Sequence, residues 1–122
     1  INFPIYDINI NVLHHDPNTV LPVHVERMNA FWGDETWRRI AYEETPPDLF
    51  GNIEFEKVSN ERFAAAFRER LRKVAGFKKV PEPLPMRNSK GSTVYYLFFA
   101  SHKGTAEEIV TYIFDKFGRK NI

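Results

Sequence analysis

With 122 residues, 43% of them hydrophobic and 15% aromatic, the chain suits one folded domain and is too apolar for a disordered one. It has no cysteine, which excludes disulfides and thiolate metal ligands and fits a reducing cytoplasm, and it shows no signal peptide and no apolar run of membrane-spanning length. The net charge is only +1, yet residues 26–56 hold eight acidic and three basic residues while residues 61–90 hold nine basic and three acidic ones, an asymmetry that marks either an anion-binding face or solvated helix surfaces.

In chain order, Ile1-Asn2-Phe3-Pro4-Ile5 reads as the end of a strand turned by Pro4. The chain opens on Ile inside this strand-like run, so it is expected to be cut from a longer one. Asp7 starts a short helix with Ile8 and Val12 one turn apart, and His14-His15-Asp16-Pro17-Asn18 is a polar break. Leu21, Val25, Met28 and Trp32 recur at helical spacing, with Pro22 in the first turn and Gly33 closing the helix. Asp34 caps a further helix whose apolar face is Trp37, Ile40 and Ala41, ended by Thr45-Pro46-Pro47-Asp48. Residues 49–55 fit no single element.

Ser59 caps the longest helix, with Val58 and Phe63 as a hydrophobic staple and Phe63, Phe67, Leu71 and Val74 as its buried stripe. Gly76 ends it, and Phe77 folds back on its last turn. Pro81, Pro83 and Pro85 make residues 78–86 an edge strand or extended arm leading to the Asn88-Ser89-Lys90-Gly91 turn. Val94-Tyr95-Tyr96-Leu97-Phe98-Phe99-Ala100 is apolar at odd and even positions, as in a central strand with cover on both faces. Thr105-Ala106-Glu107-Glu108 opens a last helix with Ile109, Tyr112, Ile113 and Phe117 facing inward.

Complete catalytic constellations are missing. No two of the six glycines are close enough for a phosphate or cofactor loop, no serine occupies a nucleophile elbow, and no histidine pair has zinc spacing. Asn2-Phe3-Pro4-Ile5 is similar to the Asn-Pro-Pro-Tyr type motif of amino-group methyltransferases. In that motif the Asn side chain and a proline-associated carbonyl accept hydrogen bonds from the target amino group, and an aromatic ring stacks on the target base. Here Phe3 replaces the first proline and Ile5 the aromatic residue, so the similarity implies the first two roles for Asn2 and Pro4 and the stacking role for Phe3 or Tyr6 instead.

The wider pattern resembles the three-Cys-motif partner proteins. The resembling stretches are Ile1-Asn2-Phe3-Pro4, Asp7-Ile8-Asn9, Phe31-Trp32-Gly33-Asp34, residues 67–77 (FRERLRKVAGF), 80–88 (VPEPLPMRN) and 95–101 (YYLFFAS). Asp7, Asn9 and Asn11 match the family's pattern, whereas Ile10 stands where the family carries an arginine. The resemblance implies an α/β fold, the C-terminal half of a Rossmann-like methyltransferase-type sheet: opening strand, helices, antiparallel β-hairpin and final helix, all as a single domain over residues 1–122. The opening strand is then the fourth of a parallel sheet. The resemblance also implies S-adenosylmethionine as cofactor of the full-length protein, with none expected for this chain, whose glycine-rich half is missing. It implies a partner with a three-cysteine motif, related to a phage protein family and associated with radical chemistry.

Asn2, Pro4, Tyr6 and Asp7 are the candidate catalytic residues. Arg68, Arg72, Lys73, Lys78, Lys79, Arg87 and Lys90 are the candidate nucleic-acid contacts, because cations clustered between apolar positions meet phosphates. Two alternatives compete with the methyltransferase-like reading: a winged-helix nucleic-acid-binding module and a non-enzymatic interaction subunit. A hairpin sharing one sheet with the opening strand favours the first reading. A hairpin projecting from three helices favours the winged helix.

Overall fold

The computed structural model describes residues 1–102. In chain order its elements are β1 (Asn2–Phe3), α1 (Ile5–Asn11), a single 3-10 turn (Pro17–Thr19), α2 (Pro22–Trp32), α3 (Trp37–Ile40), β2 (Tyr42–Glu44), β3 (Phe55–Lys57), α4 (Asn60–Lys73), β4 (Leu84–Arg87) and β5 (Thr93–Leu97). The architecture is mixed α/β with two small antiparallel sheets. The chain divides into two compact units, Ile1–Tyr6 with the chain from Ala64 onward, and Asp7–Phe63. The last helix expected from Thr105 lies outside the described residues.

The first unit is built on a three-stranded sheet of order β1-β5-β4. The strand foreseen at residues 94–100 is its centre, but it spans Thr93–Leu97. Tyr96 and Phe98 are buried, while Val94, Tyr95, Leu97 and Phe99 are half-buried, so the two faces differ in cover. β4 carries Pro85 at the sheet edge, where a missing N–H breaks no ladder. Its turn to β5 is closed by Asn88, whose Oδ1 accepts from the backbone N–H of Lys90 at 3.0 Å and of Ser92 at 3.1 Å. Gly91 completes that turn at φ 83°.

The opening strand departs from expectation. It pairs antiparallel with β5, Asn2 opposite Leu97 and Phe3 opposite Tyr96, and has no parallel neighbour among the described residues. Every strand pairing in the described residues is antiparallel. Parallel pairing requires crossover-connected strands running the same way, and β5 returns from its hairpin in the opposite sense to β1.

The core of this unit is aromatic. Phe3 stacks on Phe67 with ring centres 4.8 Å apart, and Phe98 meets both rings edge-on, at 5.8 Å from Phe3 and 5.1 Å from Phe67. α4 places Phe67 and Leu71 inward, but Val74 is 65% exposed and leaves the predicted stripe, because it lies beyond the last helical residue. There the chain turns at Gly76 (φ 79°), and the Phe77 N–H closes back on the Leu71 carbonyl at 3.0 Å.

In the second unit α2 begins with Pro22 and ends at Gly33 (φ 106°), whose N–H reaches the Asn29 carbonyl. Met28 and Trp32 are its buried residues, whereas Leu21 is exposed because it occupies the non-helical position before Pro22. Trp32 stacks on Phe63 at 5.2 Å and 6°. Trp37 donates through Nε1 to Asn29 Oδ1 at 2.7 Å. Val58 and Phe63 are both buried, and Ser59 Oγ accepts from the Arg62 N–H at 3.1 Å, as the staple and cap predict. Where the sequence suggests a helix running to Thr45, α3 stops at Ile40 and β2 pairs with β3 in a hairpin. The hairpin wins because its ends are tied: Tyr42 donates its hydroxyl to the His14 carbonyl at 2.6 Å, and the Val58 N–H reaches the Ala41 carbonyl at 2.9 Å.

Phe67→Ala is expected to lower unfolding free energy by about 3–5 kcal/mol, the usual cost of deleting a buried aromatic ring. Val74→Ala, at an exposed position, should stay within about 0.5 kcal/mol of the parent. Urea denaturation of both variants followed by circular dichroism checks the pair. Equal losses would place Val74 in the core.

Candidate functional site

The opening motif is split by the pleat of β1. Phe3 is fully buried against Phe67 and Phe98, so it is unavailable to stack on a target base. Asn2 is exposed, Pro4 is half-buried where β1 gives way to α1, and Tyr6 is exposed in the first turn of α1. Asp7 is exposed, and its Oδ1 accepts from Asn11 Nδ2 at 2.7 Å. Asn9 donates to Asn60 Oδ1 at 2.9 Å and accepts from Lys57 Nζ at 3.2 Å. These bonds explain Asp7, Asn9 and Asn11 as local fixings of α1 and its neighbours.

A dinucleotide-like or sulfonium cofactor is held on a glycine-rich turn between a strand and a helix N-terminus. The left-handed glycines among the described residues are Gly33, Gly51, Gly76 and Gly91. Gly33 and Gly76 follow helix ends, and Gly51 and Gly91 lie in hairpin loops. The described residues therefore hold no such glycine-rich turn between a strand and a helix N-terminus. They also hold no group of three His, Asp or Glu residues placed to bind a metal ion.

The basic stretch separates into engaged and available cations. Arg68, with its side chain 26% exposed, donates through Nε to the Val80 carbonyl at 2.8 Å and through Nη1 to Glu82 Oε1 at 2.7 Å. It thereby ties α4 to the proline-rich run. Arg72 and Lys73 both face Glu69, at 3.2 and 3.4 Å, the i,i+3 and i,i+4 neighbours on one helix face. Lys78, Lys79, Arg87 and Lys90 are exposed, and no carboxylate among the described residues bridges them. Arg87 ends β4 at a register shift, and Lys90 lies in the following turn. Side chains at such a bulge are re-aimed relative to the rest of the strand.

A cleft of about 730 Å³ in the second unit has no counterpart in the sequence reading. Arg38 and Arg39 of α3 contribute cations, Glu44 and Glu54 of the β2–β3 hairpin contribute carboxylates, and Tyr42 and Phe55 contribute aromatic surface. His15 and Asp16 of the polar break complete its lining. Burial pushes the Tyr42 hydroxyl above its ordinary range, and the nearby Arg38 guanidinium partly opposes that shift. His14, next to this cleft in sequence, is held at both ring nitrogens, by Thr19 Oγ1 and by the Ile10 carbonyl, each at 2.8 Å.

Comparison with known proteins finds no matching family model, curated sequence or solved structure. No helix among the described residues is long and apolar enough to cross a membrane.

Tyr42 is expected to ionise above the usual tyrosine value of 10.0, and Arg38→Ala should raise it further by removing the opposing cation. The folded value is raised, so the stabilisation is complete below the ordinary tyrosine range and is lost as pH climbs through the folded value. Ultraviolet titration of tyrosinate, taken as the difference between the parent and Tyr42→Phe, checks both shifts. A downward shift in Arg38→Ala would show that Arg38 does not act on this hydroxyl.

Proposed function

We propose that this chain forms the target-binding, C-terminal portion of a methyltransferase-like protein whose target class is nucleic acid. One observation carries the reading. Lys78, Lys79, Arg87 and Lys90 stand exposed and without carboxylate partners among the described residues, along the extended run and the β4–β5 hairpin. Unneutralised cations along one extended element follow a phosphate backbone, and each neutralised phosphate releases counterions. Arg68, Arg72 and Lys73 are already engaged by Glu82 and Glu69, so they support the surface more than they supply contacts.

The topology supports the methyltransferase-like part. The hairpin lies in one sheet with the opening strand, the arrangement this reading calls for, whereas a wing projects from its helices. Asn2 is exposed at the end of β1, with an amide free of core packing to meet a target amino group. A partner with a three-cysteine motif belongs to the same proposal through the family resemblance, and a cytoplasmic location through the cysteine-free composition.

Fluorescence anisotropy of labelled single- and double-stranded DNA and RNA, titrated with the full-length protein at several salt concentrations, tests it. Replacing Lys78, Lys79, Arg87 and Lys90 by Gln should flatten the dependence of log K on log salt by about 0.9 per lost duplex contact, or about 0.7 on single strands. Replacing Arg72 and Lys73 should change the slope less. Absence of binding to all four nucleic acids at low salt would discard the reading.

A further inference from the structure

The β2–β3 hairpin ends in a loop whose apolar side chains have no core. Leu49 is 99% and Phe50 88% exposed, and Ile53 and Phe55, at 50% and 57%, extend the same apolar surface down the hairpin. Single exposed apolar residues are ordinary, but four on one short hairpin, two of them almost fully exposed at its tip, are a concentration that marks an interaction surface.

The loop is tightly bonded. Asp48 Oδ1 accepts from the backbone N–H groups of Phe50 at 2.8 Å and Asn52 at 2.9 Å, and Oδ2 accepts from Asn52 Nδ2 at 3.2 Å. The Asp48 N–H donates to the Asn52 carbonyl at 3.0 Å, and the Gly51 N–H to the Asp48 carbonyl at 3.1 Å. Gly51 takes the left-handed φ of 76° that this turn needs. The bonds from Asn52 and Phe50 hold the Asp48 carboxyl below its ordinary range, so it is ionised at neutral pH. Asp48, Gly51 and Asn52 thus close the turn, and the Leu49 and Phe50 side chains play no part in closing it. Folding gives no reason for a leucine and a phenylalanine there. A rigid aromatic or aliphatic anchor held in place before binding is what the centre of a protein interface uses, because little ordering entropy remains to be lost.

Charge selects the occupant. Residues 43–56 contain five carboxylates and no cation. Glu43 is paired with Arg62, and Glu44 and Glu54 share a cleft with Arg38 and Arg39, so the charge beside the apolar tip stays net acidic, with Asp48 in the loop itself and Glu56 on β3. An acidic collar repels anionic lipid headgroups and nucleic-acid phosphates, and it attracts a cationic rim. We propose that the β2–β3 hairpin inserts Leu49 and Phe50 into an apolar pocket of a partner protein whose rim carries Lys or Arg. The surface belongs to the second unit and shares no residue with the cations of the nucleic-acid reading, so either can fail alone.

The test places a photo-crosslinking phenylalanine analogue at position 50 of the full-length protein, in the cells that make it, with the same analogue at exposed Leu21 as control. The expected result is an adduct, from position 50 and not from position 21, to another protein. Mass spectrometry of the joined peptides should map it to an apolar pocket flanked by Lys or Arg. Binding of that purified partner should then weaken about thirtyfold with Phe50→Ser, as for a central aromatic anchor. It should also weaken with Glu44, Glu54 and Glu56 changed together to Lys. Because these side chains are exposed, both variants should keep the parent's unfolding midpoint. Adducts confined to lipid, nucleic acid, a second copy of this chain or a protein surface without a cationic rim would overturn the proposal, as would no adduct above the Leu21 control.

Discussion

Three phenylalanine rings from distant parts of the chain hold the first unit together. Phe3 comes from the opening strand, Phe67 from the middle of α4 and Phe98 from the residue after β5, with ring centres 4.8 to 5.8 Å apart. Offset and edge-on aromatic contacts of this kind contribute about 0.5–1.5 kcal/mol each beyond the area they bury. Their larger effect is on direction. With Phe3 inward, alternation along β1 sends Asn2 outward. With Phe67 inward, the next helical residue, Arg68, is turned towards Val80 and Glu82. With Phe98 inward, Tyr96 is inward too, and Tyr95 and Leu97 take the half-buried face. The placement of Asn2 and Arg68 follows from that cluster.

Local rules carried much of the reading from sequence to fold. Pro22, Gly33, Ser59 and Gly76 mark helix ends, because each satisfies a steric or hydrogen-bonding demand set within a few residues. Asn88 and Gly91 mark the β4–β5 turn for the same reason. The edge position of the proline-rich run was legible because proline lacks the N–H that a central strand must donate. The β2–β3 hairpin was not legible. Its strands have three residues each, β3 is exposed throughout, and no apolar alternation announces it. What holds it is the Asp48 turn and two ties to Ala41 and His14, which are tertiary bonds without a sequence period.

The candidate sites were legible as composition and not as geometry. Nine basic residues over 61–90 announced a basic stretch, but only packing decides which are neutralised. Arg68 is taken by a backbone carbonyl twelve residues away, and Glu69 serves two cations one turn on. The sequence also proposed Phe3 as a stacking ring, and the demand of the core for that same ring prevailed. The cleft around Arg38 and Glu54 draws on the polar break, α3 and both hairpin strands, so no spacing rule points to it.

The two hairpins handle the same physical hazard in different ways, and this shapes what each can bind. An open strand edge offers unpaired backbone groups to any other strand. β4 counters this with Pro85, which removes a donor, and with a register shift before Arg87. The one exposed side chain of β4 itself is the cation Arg87. The β2–β3 hairpin counters it with Glu43, Glu44, Glu54 and Glu56 on or beside its strands, charges that repel a second acidic edge. Its most exposed apolar side chains, Leu49 and Phe50, lie at the tip, away from the paired strands. The uneven charge seen in the sequence thus falls on different elements: five of the eight carboxylates of residues 26–56 lie on the β2–β3 hairpin, whereas the unbridged cations Lys78, Lys79, Arg87 and Lys90 lie on the extended run and the β4–β5 hairpin.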